Sequence, residues 1–219
     1  MNSESKTIQL EYKIQMATSG NGKFPAIIML HGYGSNAADL FSFASYLPSN
    51  HTVISLEAPI ALPMGGNAWY EINFDENQDK WSDDAQALNA IDVVIDSLKK
   101  LSIQYDLDSD DLTLLGFSQG AILSWALALN NKGIVRRIIA LSGYINKDII
   151  KDANASPDFM AYAAHGSIDP VIPIAWAKTS IEPISKKHPE IHFHEYPDGH
   201  TVSQENFTKM LAWLEKTNR

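Results

Sequence analysis

A serine with a glycine two residues to either side, Gly116-Phe117-Ser118-Gln119-Gly120, closes an apolar run that begins at Leu112. A second apolar series starts directly after it at Ala121. A strand that must turn at once into a helix strains the residue at the turn, and the glycines leave room where a Cβ would strike neighbouring backbone. Ser118 is therefore a candidate nucleophile. Its hydroxyl is weak alone and calls for a histidine base, an acid behind that histidine, and two N–H donors for a developing oxyanion. His200, in Pro197-Asp198-Gly199-His200, is the candidate base. Asp169, on a loop just past an apolar run at residues 159–164, is the candidate acid. Asp198 competes, but two residues from His200 its side chain has difficulty reaching Nδ1 while Nε2 faces Ser118.

The donors have candidates as well. In His31-Gly32-Tyr33-Gly34-Ser35-Asn36 the glycines let backbone pass close to a bound group, and the Tyr33 N–H is the expected first donor. The Gln119 N–H, directly after the nucleophile, is the second, and the Gln119 side chain is incidental to that role. His31 reads as a loop-shaping residue rather than a base. Ser142 has no glycine on its near side and is set aside.

These groups need elements to carry them. Alternation over residues 7–16 predicts an edge strand, followed by a turn around Gly20, Asn21 and Gly22. The unbroken apolar run at residues 26–30 predicts an interior strand of a parallel sheet. A helix is expected over 37–46 and strands over 53–57, 136–141, 159–164 and 191–196. Ser82 reads as the N-cap of a helix that Lys99 and Lys100 close, with Leu88, Ile91, Val94, Ile95, Leu98 and Leu101 on its core face. Asp108, Asp110 and Asp111 read as a solvated turn, because they lack the glycine and glutamate spacing of a cation loop. Pro173 opens a helix that Pro183 is expected to kink or break. Phe207, Met210, Leu211 and Leu214 form the core face of the last helix.

Residues 58–81 show no clear period, and a loop of that length is usually functional. Its Leu62, Met64, Trp69 and Tyr70 are candidate substrate-binding residues, forming a wall over a pocket for an acyl chain; anchoring of the loop to the core is an equal alternative for Trp69 and the preferred reading for Phe74. His192, His194, Glu195 and His200 offer a rival metal constellation, disfavoured because no second carboxylate–histidine motif accompanies them. Neither a metal nor another cofactor is expected.

The 219 residues, 45% hydrophobic, suit a single α/β domain over 1–219, with 58–81 as a loop segment over the active site. A formal charge of −9 argues against nucleic acid and favours a neutral or locally cationic substrate. With no cysteine, the nucleophile is an oxygen. A start without a basic, apolar leader, and no run long enough to span a membrane, point to a soluble cytoplasmic protein.

Gly-Phe-Ser-Gln-Gly, His-Gly-Tyr-Gly-Ser-Asn, Ala-Trp-Tyr, Gly-Ser-Ile-Asp-Pro-Val-Ile-Pro and Asp-Gly-His occur in order, and together they resemble the phospholipase/carboxylesterase family of α/β-hydrolases, which includes acyl-protein thioesterases. The resemblance runs from about Phe24 to Leu214. It implies a mostly parallel central sheet with helices on both faces, Ser118, Asp169 and His200 as the triad, and Tyr33 and Gln119 as oxyanion donors. It also implies an acyl-group site including Trp69, a small-molecule ester or thioester substrate, and a homodimer. Ser35 stands where thioesterase-type members often carry an acid, which points toward the bacterial carboxylesterase branch. The expected function is a serine carboxylesterase. The alternatives are a catalytically silent α/β-hydrolase that binds a hydrophobic small molecule or partner, and a lactonase or acyltransferase using the same triad.

Overall fold

The computed structural model describes residues 8–20, 22–74, 80–152 and 155–219, with the backbone alone at 73, 74, 80 and 81. Thr7 of the expected first strand, Asn21 of the following turn, residues 75–79 and the side-chain reading of Phe74 lie outside the described residues.

Seven strands form one sheet: β1 (Tyr12–Gln15), β2 (Phe24–Leu30), β3 (Thr52–Leu56), β4 (Leu107–Phe117), β5 (Arg137–Leu141), β6 (Met160–Gly166) and β7 (Ile191–Tyr196). Their order across the sheet is β1-β3-β2-β4-β5-β6-β7. Only β1 runs antiparallel, paired to β3 at the edge. The other neighbours are parallel, which places the carboxyl ends of β2, β4, β6 and β7 on one rim. Ligands of open parallel sheets bind at that rim.

The continuous apolar runs are explained by cover on both faces. Along β2, Ala26, Ile28 and Leu30 pack into one buried cluster with α2 (Asp84–Gln104), α3 (Gln119–Asn130) and α4 (Ile174–Ser185). Ile27 and Met29 point the other way, into a cluster with Leu40 of α1 (Ala37–Phe41) and with Met210 and Leu214 of α5 (Gln204–Thr217). The same alternation splits Leu114 from Leu115 and Ile138 from Ile139. Helices therefore lie on both faces.

Several local expectations are corrected. The first strand starts at Tyr12, and the helix expected over 37–46 ends at Phe41, with a separate 3₁₀ turn at Ala44–Tyr46. Asp83, not Ser82, caps α2 by accepting from the Gln86 N–H at 2.9 Å, while Ser82 lies in a short strand. That helix continues to Gln104, past Lys99 and Lys100, because Leu101 is still needed in the core. Pro183 does not end α4, which runs to Ser185. The expected acidic turn is instead part of β4. Asp111 is buried there between Arg136, at 3.1 Å, and the fully buried Arg137, which also donates to Thr113 Oγ1 at 2.9 Å and to the Thr217 carbonyl at 2.7 Å. Within 58–81, Ile60–Ala61 pairs with Asn67–Ala68 and Ile72–Phe74 with Lys80–Ser82.

Candidate active site

Ser118 follows β4 and precedes α3 with φ 53° and ψ −116°, the strained turn its flanking glycines predict. A Cβ on Gly120 would overlap the Leu30 carbonyl, and one on Gly116 would overlap the Gly120 carbonyl. The absence of side chains there lets the helix pack directly on the strand ends, and the Ser118 N–H continues the β4–β5 ladder by donating to the Leu141 carbonyl at 2.8 Å.

Asp169 sits just past β6, and His200 just past β7. The imidazole Nδ1 lies 2.7 Å from Asp169 Oδ2, while Asp169 Oδ1 accepts from the Val171 N–H at 2.8 Å and the Ile172 N–H at 2.9 Å. Burial opposes ionisation of this carboxyl. The His200 hydrogen bond and the two N–H groups outweigh it and hold the group below the usual carboxylate range. An ionised Asp169 can only accept, so in the neutral ring Nδ1 carries the proton and Nε2 the lone pair. Asp169, not Asp198, is thus the carboxylate that bonds His200. The sequence reading missed His165: it is buried, with Nε2 2.9 Å from the Ile172 carbonyl and 3.3 Å from Asp169 Oδ2, bracing the acid from behind.

Ser118 and His200 line one cavity of about 420 Å³. Among the described residues no hydrogen bond joins Ser118 Oγ to His200; such contacts commonly tighten only around substrate. The Phe117 ring packs 5.0 Å from the imidazole. Gly32 and Tyr33, just past the end of β2, line the same cavity as Ser118, and a Cβ added to Gly32 would stand 3.3 Å from the Ser118 Cβ. The Tyr33 N–H takes no partner among the described residues. The Gln119 N–H, first in α3, has no carbonyl of its own helix to bond. Both candidate amides are thus free to meet a ligand oxygen.

The loop that carries Tyr33 is clamped. Gly34 N–H donates to the Asn67 carbonyl at 2.9 Å, and Asn67 N–H returns a bond to the Ser35 carbonyl at 2.7 Å. Glu57 accepts from the Asn67 side chain and from the Ala37 N–H at 2.6 Å. His31 is fully buried, with Nδ1 2.8 Å from the Gly32 carbonyl and Nε2 accepting from the Ala58 N–H at 3.1 Å. Burial also lowers its pKa. It shapes the loop, as its position predicts.

Of the four residues expected to bind substrate, Tyr70 alone lines the cavity. Met64 is fully exposed on a tight turn that the Leu62 carbonyl closes by accepting from Gly65 N–H at 3.0 Å, and neither Met64 nor Leu62 reaches the cavity. Trp69 is 1% exposed and packs behind the wall, because its indole N–H is taken by the His31 carbonyl at 2.9 Å. The walls are instead built from Tyr70, Ile72, Ile122, Tyr144, Ile172 and Trp176. Val171 and Ile172 beside Asp169, and Trp176 near the start of α4, were the available signals for that wall. The Gln119 side chain is not incidental to the fold, since it bonds the backbone of both Trp69 and Tyr70.

On β7, His192 and His194 stack with centroids 6.2 Å apart, while His200 is committed to Asp169. Among the described residues no group of three or more His, Cys, Asp or Glu side chains is placed to hold a metal ion. No helix among them is long and apolar enough to cross a membrane.

Comparison with known proteins follows the same geometry. A family model described as Phospholipase/Carboxylesterase matches residues 14–218. Acyl-protein thioesterase 1 of Cryptococcus neoformans is 23% identical over 229 aligned residues, spanning 96% of this chain and 92% of that protein. Acyl-protein thioesterase 1 of Yarrowia lipolytica is 27% identical over 206, spanning 87% and 90%. Among solved structures, esterase PE8 superposes with a TM-score of 0.84 at 26% identity, covering 96% of this chain and all of that one. The Bacillus cereus carboxylesterase gives 0.78 at 18% identity, covering 95% and 94%, a likeness of fold.

Proposed function

Because the chain belongs to the phospholipase/carboxylesterase family, we propose that it is a serine esterase hydrolysing carboxylic esters, thioesters among them, through an acyl-enzyme on Ser118. The observation that carries this reading is the 2.7 Å contact of His200 Nδ1 with Asp169 Oδ2, which assigns the lone pair of the neutral ring to Nε2, on a residue that lines the same cavity as Ser118. Nε2 takes the hydroxyl proton as Ser118 Oγ bonds the carbonyl carbon, and Asp169 stabilises the imidazolium. The carbonyl electrons move onto oxygen, where the Tyr33 and Gln119 amides receive them. Collapse expels the alcohol or thiol, protonated by the imidazolium, and water repeats the cycle on the acyl-enzyme to release the acid.

Substrate type follows from the walls. Among the described residues no lysine or arginine lines the cavity, and the carboxylate that does, Asp39, is held by the Ser35 hydroxyl at 2.7 Å. Apolar walls and the Asp39 carboxylate favour an uncharged acyl group on a neutral or cationic leaving group and disfavour anionic esters.

The test is direct. Ser118→Ala should lower turnover of a p-nitrophenyl ester by on the order of 10⁶, and a fluorophosphonate should label the folded wild-type chain at Ser118. Esterase activity surviving in the alanine variant would reject the assignment. Absence of labelling in the wild type would favour a silent binding protein.

A further inference from the structure

The two amides assigned to the oxyanion belong to segments 86 residues apart, yet their separation must be fixed to a fraction of an ångström for both to reach one oxygen. A buried relay spans that gap. The Gln119 side chain, on a residue 2% exposed, accepts from the Trp69 backbone N–H at 2.8 Å and donates to the Tyr70 carbonyl at 2.7 Å. The Trp69 indole N–H donates to the His31 carbonyl at 2.9 Å. The Ala58 N–H fills His31 Nε2, so Nδ1 carries the proton and donates to the Gly32 carbonyl at 2.8 Å. That carbonyl shares a planar trans peptide with the Tyr33 N–H, and the two point in opposite directions. Holding the Gly32 oxygen therefore aims the Tyr33 N–H.

We propose that the Gln119 side chain and the Trp69 indole are positioning groups that, through His31, lock the Tyr33 amide in register with the Gln119 amide. One residue thus contributes twice, its main chain as a donor and its side chain as the strut that places the other donor. Trp69 is a strut behind the acyl wall, not a part of it. The inference rests on the serine-esterase reading above.

The experiment removes the indole N–H with little else changed. Trp69→Phe, and a semisynthetic chain with 3-benzothienylalanine at position 69 that keeps the bicyclic shape but has no N–H, are assayed against a graded p-nitrophenyl ester series. Both are also titrated with an alkyl trifluoromethyl ketone, whose serine adduct places an oxyanion between the amides. Loss of one donor costs about 10²- to 10³-fold and ångström-scale displacement about 10²-fold. A misaimed donor should therefore lower kcat about 10- to 100-fold with little change in KM. The ketone should weaken by a similar factor, while the apparent pKa of the pH–rate profile stays at its wild-type position because the His200–Asp169 pair is untouched. Wild-type ketone affinity in the benzothienyl chain would overturn the proposal, as would a loss of activity accompanied by a moved pH profile. Failure of the ketone to bind the wild-type chain would instead remove the esterase reading, and this inference with it.

Discussion

Asp169→Asn is nearly isosteric, and the surrounding donors dictate how the new amide must sit. The Val171 and Ile172 N–H groups, at 2.8 and 2.9 Å, demand an acceptor at the Oδ1 position, so the amide oxygen stays there. The NH2 group is then forced to the Oδ2 position, 2.7 Å from His200 Nδ1. Facing a donor, Nδ1 must present its lone pair, and the ring proton moves to Nε2, where it can no longer accept the Ser118 proton. Two losses combine. An imidazolium and a carboxylate with charges ~4 Å apart interact by about 4 kcal/mol at an effective dielectric of ~20, and the variant forfeits that attraction as positive charge develops on the ring. Recovering the productive tautomer sets N–H against N–H and adds about 1–2 kcal/mol, an ordinary hydrogen-bond loss. Together these predict a fall in kcat of about 10⁴ at roughly 1.4 kcal/mol per tenfold, with KM nearly unchanged. Initial rates on a p-nitrophenyl ester across pH 6–9, with circular dichroism to verify folding, provide the measurement. Asp198→Asn serves as the control and should stay within about twofold, because its side chain is outside the pair. A folded Asp169→Asn within tenfold of wild type, or a larger loss in the Asp198 variant, would refute the reasoning.

Gly120→Ala drives a methyl into the Leu30 carbonyl and to 2.9 Å from the His31 carbonyl, so α3 must slide away from β2 and carry the Gln119 amide with it. The expected cost is about 1–3 kcal/mol of stability and about 10² in kcat, read by thermal melting and ester turnover; unchanged values in both would contradict the close packing. His51 supplies a pH dependence. Burial first, and the Arg137 charge second, lower its pKa from 6.5 to about 4. Between those values the unfolded chain binds a proton that the folded chain refuses, so stability rises with pH across the window and is lost on acidification from 6.5 toward 4, by about 3 kcal/mol. Melting temperature should drop by about 6–12 °C over that interval, and His51→Gln should flatten the drop. An identical slope in the variant would sink the assignment.

The parts of the fold legible in the sequence share one property: the requirement and the residue that meets it lie within a few positions. The strand-to-helix turn at Ser118 announces itself through Gly116 and Gly120. The interior position of β2 shows in five successive apolar residues. The rim location of Asp169 and His200 follows from their standing a few residues past the expected strands at 159–164 and 191–196. Where the reading slipped, the deciding partner was distant. Asp111 looks solvated beside Asp108 and Asp110, and is buried because Arg136 and Arg137 close over it from the next strand. Lys99 and Lys100 look like a helix end because charge at a carboxyl terminus is favourable, yet burial of Leu101 against the sheet outweighs that surface preference and extends α2.

The same distinction explains why the contacts of Trp69 and Gln119 were not legible in the sequence while the candidate triad was. A nucleophile, its base and its acid are restricted to few side-chain types, so their identity can be inferred before their contacts are known. A buried indole N–H or carboxamide can be satisfied by any backbone group that happens to pass, and its role is set only once the chain has folded. Trp69 finds its acceptor 38 residues away at His31, and Gln119 finds Trp69 at a separation of 50. Aromatic content and the family resemblance made Trp69 a candidate for the substrate wall. Leaving its N–H unpaired in an apolar pocket would cost about 1–3 kcal/mol, so the ring turns inward to the His31 carbonyl, while Tyr70 and Ile72 line the cavity. Polar satisfaction, rather than hydrophobicity, thus decides that Trp69 packs behind the cavity instead of lining it.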